Sequence, residues 1–225
     1  MGRKKKLIHF AENDTFDNLF QCGFEEITTN GFPLKGNWHK DFFHNDNPIV
    51  LELGCGKGEY TVGLARNNPQ KNFIGIDIKG ARLWRGLNTA KDESLANVAF
   101  IRSRIEMIEH YFSTDEVSEI WITFPDPQPR KTRERKRLTS PWFLAKYKLF
   151  LLKDGIIHLK TDSDLMYEYT CEMIENEQHI ALFSTNDLYA TAEPMDVKNI
   201  RTFYEQRWLN EGLTIKYVAF RLKNE

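Results

Sequence analysis

Three glycines after an apolar run are the first residues in this sequence whose types and spacing suggest chemistry. Gly54, Gly56 and Gly58 follow the residues Ile49-Val-Leu-Glu-Leu53. An apolar run that breaks into glycines is typical of a buried parallel strand turning into a helix, and glycines place no β-carbon between the backbone and a ligand. The pattern therefore predicts a cofactor cradle, with a plain strand-to-helix turn as the alternative.

The acids around this loop indicate the kind of cofactor. The dinucleotide fingerprint and the P-loop both fail, because Glu59 stands at the third glycine position and no Ser or Thr follows Lys57. Glu52 lies just before the first glycine, and Asp77 ends the next apolar run. An acid about 20 residues past such glycines suits the two hydroxyls of a ribose. Since Glu52 also disfavours an anionic ligand, a nucleoside is predicted.

A second candidate for chemistry is the acid in Phe124-Pro-Asp-Pro127, which ends another apolar run. Proline fixes its own φ and keeps the preceding residue out of the helical region, so Asp126 is predicted to be held rigidly on an extended turn. The carboxyl ends of strands form the ligand crevice of an open α/β sheet, where Asp126 would face the cofactor. The alternative is a proline-rich loop in which Asp126 only caps a turn.

Positive charge is concentrated in two short segments. Residues 1–9 carry +4 and residues 130–137 carry +5, which leaves −10 on the rest of a chain whose formal total is −1. Two basic segments on an acidic body favour a polyanionic partner such as nucleic acid, although either segment alone could be a solvated tail or loop. The predicted RNA contacts are Arg3, Lys4, Lys5, Lys6, Lys131, Arg133, Arg135, Lys136 and Arg137.

Alternating apolar runs and helical patterns must position these residues. From residue 49 onward the alternation is typical of a doubly wound α/β sheet with helices on both faces. Residues 1–47 are predicted to be a basic tail and an irregular extension, and residues 48–225 to be one domain. Strands are predicted near 49–53, 72–77, 97–102, 119–124, 155–161, 179–185 and 214–222, the last one antiparallel. Helices are predicted near 58–68, 80–94, 104–111, 139–152, 164–177 and 200–211.

The composition disfavours several other classes of protein. Cys22, Cys55 and Cys171 are odd in number and form no C-x-x-C pair, so neither a disulfide framework nor a zinc site is predicted, and a reducing cytoplasm is expected. The histidines show no ligand spacing, and no apolar run approaches the length needed to span a membrane. We therefore expect no metal and no membrane association.

Two of these stretches resemble known families. Leu53-Gly-Cys-Gly-Lys-Gly58 with Asp77 resembles the binding loop of class I S-adenosylmethionine-dependent methyltransferases, which have a Rossmann-like sheet. Phe124-Pro-Asp-Pro127 with the basic run resembles the signature of the tRNA (guanine-N7-)-methyltransferase family, in its bacterial single-chain form. Leu159-Lys-Thr-Asp162 and Thr202-Phe-Tyr-Glu205 match further segments of that family.

The resemblance implies a reaction and a set of site residues. The cofactor would be S-adenosylmethionine, and the product N7-methylguanosine at position 46 in the variable loop of tRNA. Glu52 and Asp77 would contact the cofactor, and Asp126 would be the catalytic residue. The residues implied to line the substrate site are Asp126, Arg130, Asp162, Thr202, Phe203, Tyr204 and Glu205.

Some positions depart from the family pattern. Arg104 stands where the family usually offers an acid to the cofactor's adenine, so Glu106 is the candidate substitute for that contact. Arg130 stands where lysine is usual, which keeps the charge and changes the donor geometry. Two other functions stay open, a methyltransferase acting on another RNA or a small molecule, and a non-catalytic RNA-binding module. A monomer and a homodimer are both compatible with the sequence.

Overall fold

The computed structural model describes residues 3–192 and 195–223, which form one mixed sheet of eight strands flanked by helices. The strands are β1 (Leu19–Phe20), β2 (Ile49–Leu53), β3 (Asn72–Asp77), β4 (Val98–Arg102), β5 (Val117–Thr123), β6 (Leu151–Thr161), β7 (Ile180–Thr185) and β8 (Lys216–Arg221). Their order across the sheet is β1-β4-β3-β2-β5-β6-β8-β7. Only β8 runs antiparallel to its neighbours β6 and β7. The predicted doubly wound sheet with an antiparallel last strand is confirmed.

The six helices predicted from residue 49 onward are found near their predicted positions, with differences in two of them, whereas α1, α2, α7 and the 3-10 helix at Lys131–Lys136 were not predicted. The segment Ile105–His110 is a 3-10 helix, and α5 ends at Tyr147, several residues before the predicted end at 152. Strand β6 begins at Leu151, before its predicted start at 155, and takes up the last two residues of the predicted helix. The α-helices are α1 (Arg3–Asn13), α2 (Phe24–Asn30), α3 (Glu59–Asn67), α4 (Gly80–Asp92), α5 (Pro141–Tyr147), α6 (Asp164–Asn176), α7 (Met195–Lys198) and α8 (Phe203–Asn210).

The N-terminal segment has more regular structure than the predicted irregular extension. It contains α1, α2 and a π-helical turn at Trp38–Phe43, and β1 extends the sheet by pairing with β4. Trp38 is fully buried and donates from Nε1 to the carbonyl of Tyr111 at 3.0 Å. The aromatic residues of the N-terminal segment show no helical or strand periodicity, because they lie on several short elements that pack into the shared core. The division into residues 1–47 and 48–225 stays a prediction.

Two apolar layers hold the central strands in place. Every residue of β2 is buried, with Leu51 and Leu53 packed on one face of the sheet and Val50 on the other. Fully burying one such side chain contributes about 1.5–3 kcal/mol. Since β2, β3, β5 and β6 are parallel neighbours, their carboxyl ends share one edge, and loops that follow them meet there.

Candidate active site

The glycine loop combines a cradle with a packing contact. Gly54, Gly56 and Gly58 have φ of +76°, +57° and +69°, a left-handed conformation that favours glycine. A β-carbon on Gly58 would lie 2.7 Å from the Phe100 ring and 3.2 Å from the Cα of Gly86, so this glycine allows α3 to start against α4. Gly54 is exposed, and the nearest atom to a β-carbon there is 3.9 Å away. Gly54 and Gly56 are therefore the glycines available to a ligand.

Asp77 ties the end of β3 to this loop. Its Oδ2 accepts from the backbone N–H of Gly56 at 3.0 Å, and its Oδ1 accepts from that of Lys79 at 2.7 Å. The side chain is only partly buried and borders the adjacent cavity. A carboxylate oxygen can accept more than one hydrogen bond, so Asp77 keeps acceptor capacity for ribose hydroxyls.

A cavity of about 500 Å³ opens beside Asp77, a size typical of sites for small organic ligands. Arg104 and Glu106 both border it, so the adenine contact predicted for Glu106 stays open between them. The lining residues are Gly54, Asp77, Ile78, Ser103, Arg104, Ile105, Glu106, Gln128, Lys136, Leu138 and Phe143. A larger cleft of about 630 Å³ lies near α5 and the start of β6, but none of the predicted site residues borders it.

Glu52 is buried beneath the loop, with 3% of its surface exposed. Its carboxylate accepts from the hydroxyl of Thr123 at 2.6 Å and from the hydroxyl of Thr61. Burial raises the pKa of the Glu52 carboxyl, and the hydrogen bonds from Thr123 and Thr61 partly offset that rise. Glu52 therefore has almost no surface with which to contact a ligand, and it does not border the cavity.

Asp126 lies exposed on a constrained turn after β5. Its Oδ1 accepts from the backbone N–H of Gln128 at 3.1 Å. Phe124 and Gln128 have φ of +49° and +46°, a left-handed conformation that costs roughly 1–3 kcal/mol in residues other than glycine. The N–H of Phe124 donates to the carbonyl of Lys160 at 2.8 Å, which anchors the turn to β6. Asp126 thus caps this turn, which is the alternative role given to it from the sequence, and the turn brings Gln128 to the cavity wall. The rigidity of the turn and the contact of Asp126 with the cofactor stay predictions.

The basic segment after this turn separates into two roles. Arg130, Lys131, Arg133, Arg135 and Lys136 are exposed around a 3-10 helix at Lys131–Lys136. These side chains are accessible to a polyanion. Their number and exposure agree with the RNA contacts that the sequence predicts.

Arg137 differs from its neighbours because it is 7% exposed. Its Nε donates to the carbonyl of Pro127 at 3.3 Å, and its Nη2 to that of Gln128 at 3.4 Å. The guanidinium also stacks on the ring of Tyr169, 4.3 Å from its centroid. The sequence groups Arg137 with the RNA contacts, but its burial corrects that assignment: Arg137 positions the turn that carries Asp126.

The segment Thr202–Glu205 forms the start of α8. Thr202 caps the helix by accepting from the N–H of Glu205 at 3.2 Å. Phe203 and Tyr204 are exposed by 62% and 44%, and Lys57 Nζ lies 4.9 Å from the Phe203 ring centroid. The N–H of Phe203 donates to Glu59 at 3.0 Å, which joins α8 to the glycine loop. Phe203 and Tyr204 therefore present aromatic surface beside the cavity's loop.

Glu205 is fully buried, which leaves it no surface for the direct substrate contact that the resemblance implies. Its Oε1 lies 2.8 Å from Nζ of Lys160, and both side chains have 0% exposure. The hydroxyl of Tyr189 donates to the same oxygen at 2.8 Å. Lys160 also donates to the carbonyls of Val197 and Ile200. The ion pair thus holds the segment before α8 against the end of β6.

Asp162 follows β6 and is partly buried. Burial raises the pKa of its carboxyl. Ser163, and not Asp162, caps α6, because the Ser163 hydroxyl accepts from the N–H of Met166 at 3.3 Å. Nζ of Lys216 donates to the backbone carbonyl of Asp162 at 3.0 Å. This bond holds the backbone at Asp162 and does not involve the carboxylate.

Sequence reasoning missed three residues that organise this edge. Lys160 was hidden in the run Ile156-Ile-His-Leu-Lys160, although a cation inside an apolar strand is a signal of a buried ion pair. Trp208 packs 5.0 Å from Phe124 and 5.9 Å from Tyr204, measured between ring centroids. The sequence shows Glu59 only as the residue at the third glycine position of the dinucleotide fingerprint, and it does not reveal the contact with Phe203. The side chains of Arg3, Lys4, Lys5 and Lys6 lie outside the described residues.

Neither a metal centre nor a membrane span is found in the part of the chain that the structure describes. Within residues 3–192 and 195–223, no three His, Cys, Asp or Glu side chains are grouped so that they could bind a metal ion. No helix there combines the length and apolar character required to cross a bilayer.

The chain is similar to methyltransferases along most of its length. A family model described as "Putative methyltransferase" matches residues 46–218. The solved 16S rRNA methyltransferase KamB is similar with a TM-score of 0.62 and 14% identity, over 82% of this chain and 92% of that one. The 16S rRNA (adenine(1408)-N(1))-methyltransferase from Catenulisporales acidiphilia, solved with its cosubstrate S-adenosylmethionine, has a TM-score of 0.54 and 12% identity, over 84% and 91%. These likenesses show a class I methyltransferase fold.

One relative defines the family more narrowly. The tRNA (guanine-N(7)-)-methyltransferase of Christiangramia forsetii is 57% identical over 224 residues, which make up 99% of this chain and 100% of that protein. Because a match at this identity covers almost the whole of both proteins, the chain belongs to the tRNA (guanine-N(7)-)-methyltransferase family.

Proposed function

We propose that this protein transfers a methyl group from S-adenosylmethionine to N7 of guanine 46 in the variable loop of tRNA. The observation that carries the proposal is the placement of Asp126. Its carboxylate is exposed on a hydrogen-bonded turn in which Gln128 borders the cavity, and exposed cations follow this turn directly. An acid for a guanine face and a basic surface for RNA thus lie together.

The residues around the cavity fit the cofactor. Gly54 and Gly56 offer bare backbone, Asp77 offers carboxylate oxygens to the ribose, and Ile78 offers an apolar surface that is 50% exposed. The buried Glu52 would favour a cationic sulfonium and ammonium end over an anionic one. When bound, S-adenosylmethionine supplies an activated methyl group on its sulfonium.

Asp126 would recognise the base and stabilise the product. Its carboxylate can accept hydrogens from N1 and from the exocyclic amine of guanine, whereas the corresponding edge of adenine presents no such pair of donors. Guanine N7 already carries a lone pair, so alignment and charge placement suffice and no proton has to be removed first. The negative charge of Asp126 would favour the cationic N7-methylguanine that forms.

Aromatic surface would hold the base in place. A guanine in the variable loop must leave its tertiary contacts to bring N7 to the methyl group. Phe203 and Tyr204 are exposed next to the glycine loop and could stack on an unstacked purine, since aromatic rings stack on bases without sequence preference. Asp162, which is partly buried after β6, and Arg130, which is exposed after the turn of Asp126, are the further substrate contacts that we propose.

The RNA itself would be held by charge. Lys131, Arg133, Arg135 and Lys136 are exposed where a phosphate backbone could reach them, and we include the basic residues Arg3 to Lys6 in the same role. A cytoplasmic location follows from a tRNA substrate and agrees with three free cysteines. Whether the enzyme acts as a monomer or as a homodimer does not change this assignment.

Chemical mapping of the product tests the proposal. The protein is incubated with S-adenosylmethionine and an unmodified tRNA transcript, and the RNA is then treated with borohydride and aniline, which cleave at N7-methylguanosine. We expect one cleavage at position 46, and none in a transcript with adenosine there. Cleavage elsewhere, or equal modification of an unstructured RNA with the same guanine, would overturn the assigned position. Cofactor binding without methylation of any RNA would favour a different methyltransferase substrate.

A further inference from the structure

Helix α4 buries one side against the sheet and leaves cations on the other. Leu83, Leu87 and Ala90 are buried, whereas Arg82 and Arg85 are exposed. Residues 78–91 contain four cations and no acid. The outer face of α4 therefore carries positive charge that its own sequence does not neutralise.

Two exposed arginines on other helices have acidic partners. Arg66 on α3 pairs with Glu93 at 2.6 Å, and Arg207 on α8 pairs with Glu211 at 2.8 Å. Arg82 and Arg85 form no ion pair within residues 3–192 and 195–223. The two arginines are also three residues apart on one helix, so their charges repel each other. Like charges at that spacing disfavour the isolated helix by roughly 0.2–0.5 kcal/mol. An unneutralised pair is better explained by an anionic partner than by helix stability.

The location of this face adds to the argument. Gly86, which follows Arg85, packs on the glycine loop so closely that a β-carbon there would lie 2.9 Å from the carbonyl oxygen of Lys57. Lys57 in turn lies over the exposed ring of Phe203. The glycine loop thus contacts α4 through the buried Gly86 and the exposed aromatic rings through Lys57, while Arg82 and Arg85 lie on the exposed side of the same helix.

Helix α1 extends this surface on its other flank. The ring of His9 stacks on Trp84 of α4 with a centroid distance of 3.8 Å, and Asn13 donates to the carbonyl of Gly80 at 3.0 Å. The earlier residue of α1, His9, contacts the later residue of α4, Trp84, and Asn13 contacts Gly80 at the start of α4. The two helices are therefore antiparallel. The backbone of the basic stretch 3–6 precedes His9 on α1 and therefore continues beside the second half of α4.

We infer that the outer face of α4, with Arg82 and Arg85, is a second RNA-contact surface that binds backbone phosphates of the tRNA substrate. The inference rests on the proposed function. Lys136 borders the cavity from the side of the basic 3-10 segment, and α4 packs on the glycine loop from the side of α3. Phosphates on both sides of the target guanine would then be held, which orients the nucleotide over the site.

Salt-dependent binding of a tRNA transcript tests the inference. The test variant is Arg82→Gln/Arg85→Gln, and the control variant is Lys40→Gln/Lys153→Gln, which removes the same charge from two exposed residues outside α4 and the site. Each lost phosphate contact lowers the slope of log K against log salt by about 0.7–0.9. Between 50 and 200 mM salt the wild-type protein should therefore lose about 10-fold more affinity than the test variant.

The expected result also includes a kinetic signature. The test variant should need a higher tRNA concentration to reach half of its maximal rate, and the control variant should match the wild type in both tRNA binding and methylation rate. A test variant with the wild-type salt slope would overturn the inference, while methylation by the wild-type protein would leave the proposed function intact. A wild-type protein that binds tRNA with the predicted slope difference but methylates none would overturn the proposed function alone.

Discussion

Removing the ammonium of Lys160 should destabilise the protein far more than removing a surface cation. Burial lowers the pKa of Lys160, and the charge of Glu205 partly offsets that shift. Because both side chains are fully buried, each charge is stabilised by the other. Substituting Lys160→Met leaves the Glu205 carboxylate buried without a counter-charge and the carbonyls of Val197 and Ile200 without their donor. Breaking a buried pair in this way costs about 3–5 kcal/mol.

Urea unfolding measures this cost. For a slope near 2–3 kcal/mol per molar urea, the midpoint should fall by roughly 1–2 M. The matched control is Arg207→Met, which breaks an exposed pair on α8 whose side chains are 63% and 49% exposed. Water and salt screen such an exposed pair, so it contributes little to stability and the control midpoint should barely move.

A double variant separates charge from packing. Lys160→Met/Glu205→Leu removes both charges, and replacing a buried pair with apolar residues is often neutral. It should recover much of the lost stability, less the contribution of the Tyr189 hydroxyl bond, which is about 1 kcal/mol. A Lys160→Met midpoint equal to that of Arg207→Met would refute the reasoning that this ion pair anchors α8.

Three further predictions concern the site itself. Folding raises the pKa of Glu52, so the stability that its protonated carboxyl contributes is present below the ordinary pKa of 4.5 and is lost as pH rises through the folded pKa. The variant Glu52→Gln should therefore unfold at a higher denaturant concentration than the wild type at pH 8 but not at pH 4. An equal increase in the unfolding midpoint at both pH values would contradict this. Asp77→Ala should weaken S-adenosylmethionine binding by about 1–3 kcal/mol in calorimetry, and unchanged affinity would remove Asp77 from the cofactor site. Arg137→Ala should lower turnover without changing the salt slope of tRNA binding, whereas Arg133→Ala should change the slope and spare turnover; identical effects of the two variants would mean that Arg137 has no positioning role.

The central strands could be predicted from the sequence because their signal is local. Each residue of β2 is buried, so a run that is apolar apart from Glu52 marks both its ends, and the glycines that follow mark the turn. The N-terminal segment gave no such signal. Trp38 and Phe32 are buried among aromatic side chains from several parts of the chain, and contacts of that kind are not visible as a period.

Charged residues show a second limit of sequence reasoning. Arg137 closes a run of exposed cations but is itself buried against the Pro127 carbonyl. Glu205 lies beside two exposed aromatic residues but is turned to the interior. Residue type reports the charge that a side chain brings, whereas its burial is decided by the packing of neighbouring elements. The positions in the chain were therefore predictable, and the division between contact and positioning roles was not.

The role of Asp126 is the centre of this account, and one comparison tests it most directly. N7-methylguanosine formed on a tRNA transcript is measured by nucleoside mass spectrometry for the wild-type protein and for Asp126→Asn, with S-adenosylmethionine affinity measured by calorimetry on both. The account predicts that Asp126→Asn binds the cofactor as tightly as the wild type, since Asp126 lies on the turn and outside the glycine cradle, but forms product far more slowly at saturating tRNA. Product formed at the wild-type rate by Asp126→Asn would contradict the assignment of Asp126 to the guanine and the reaction.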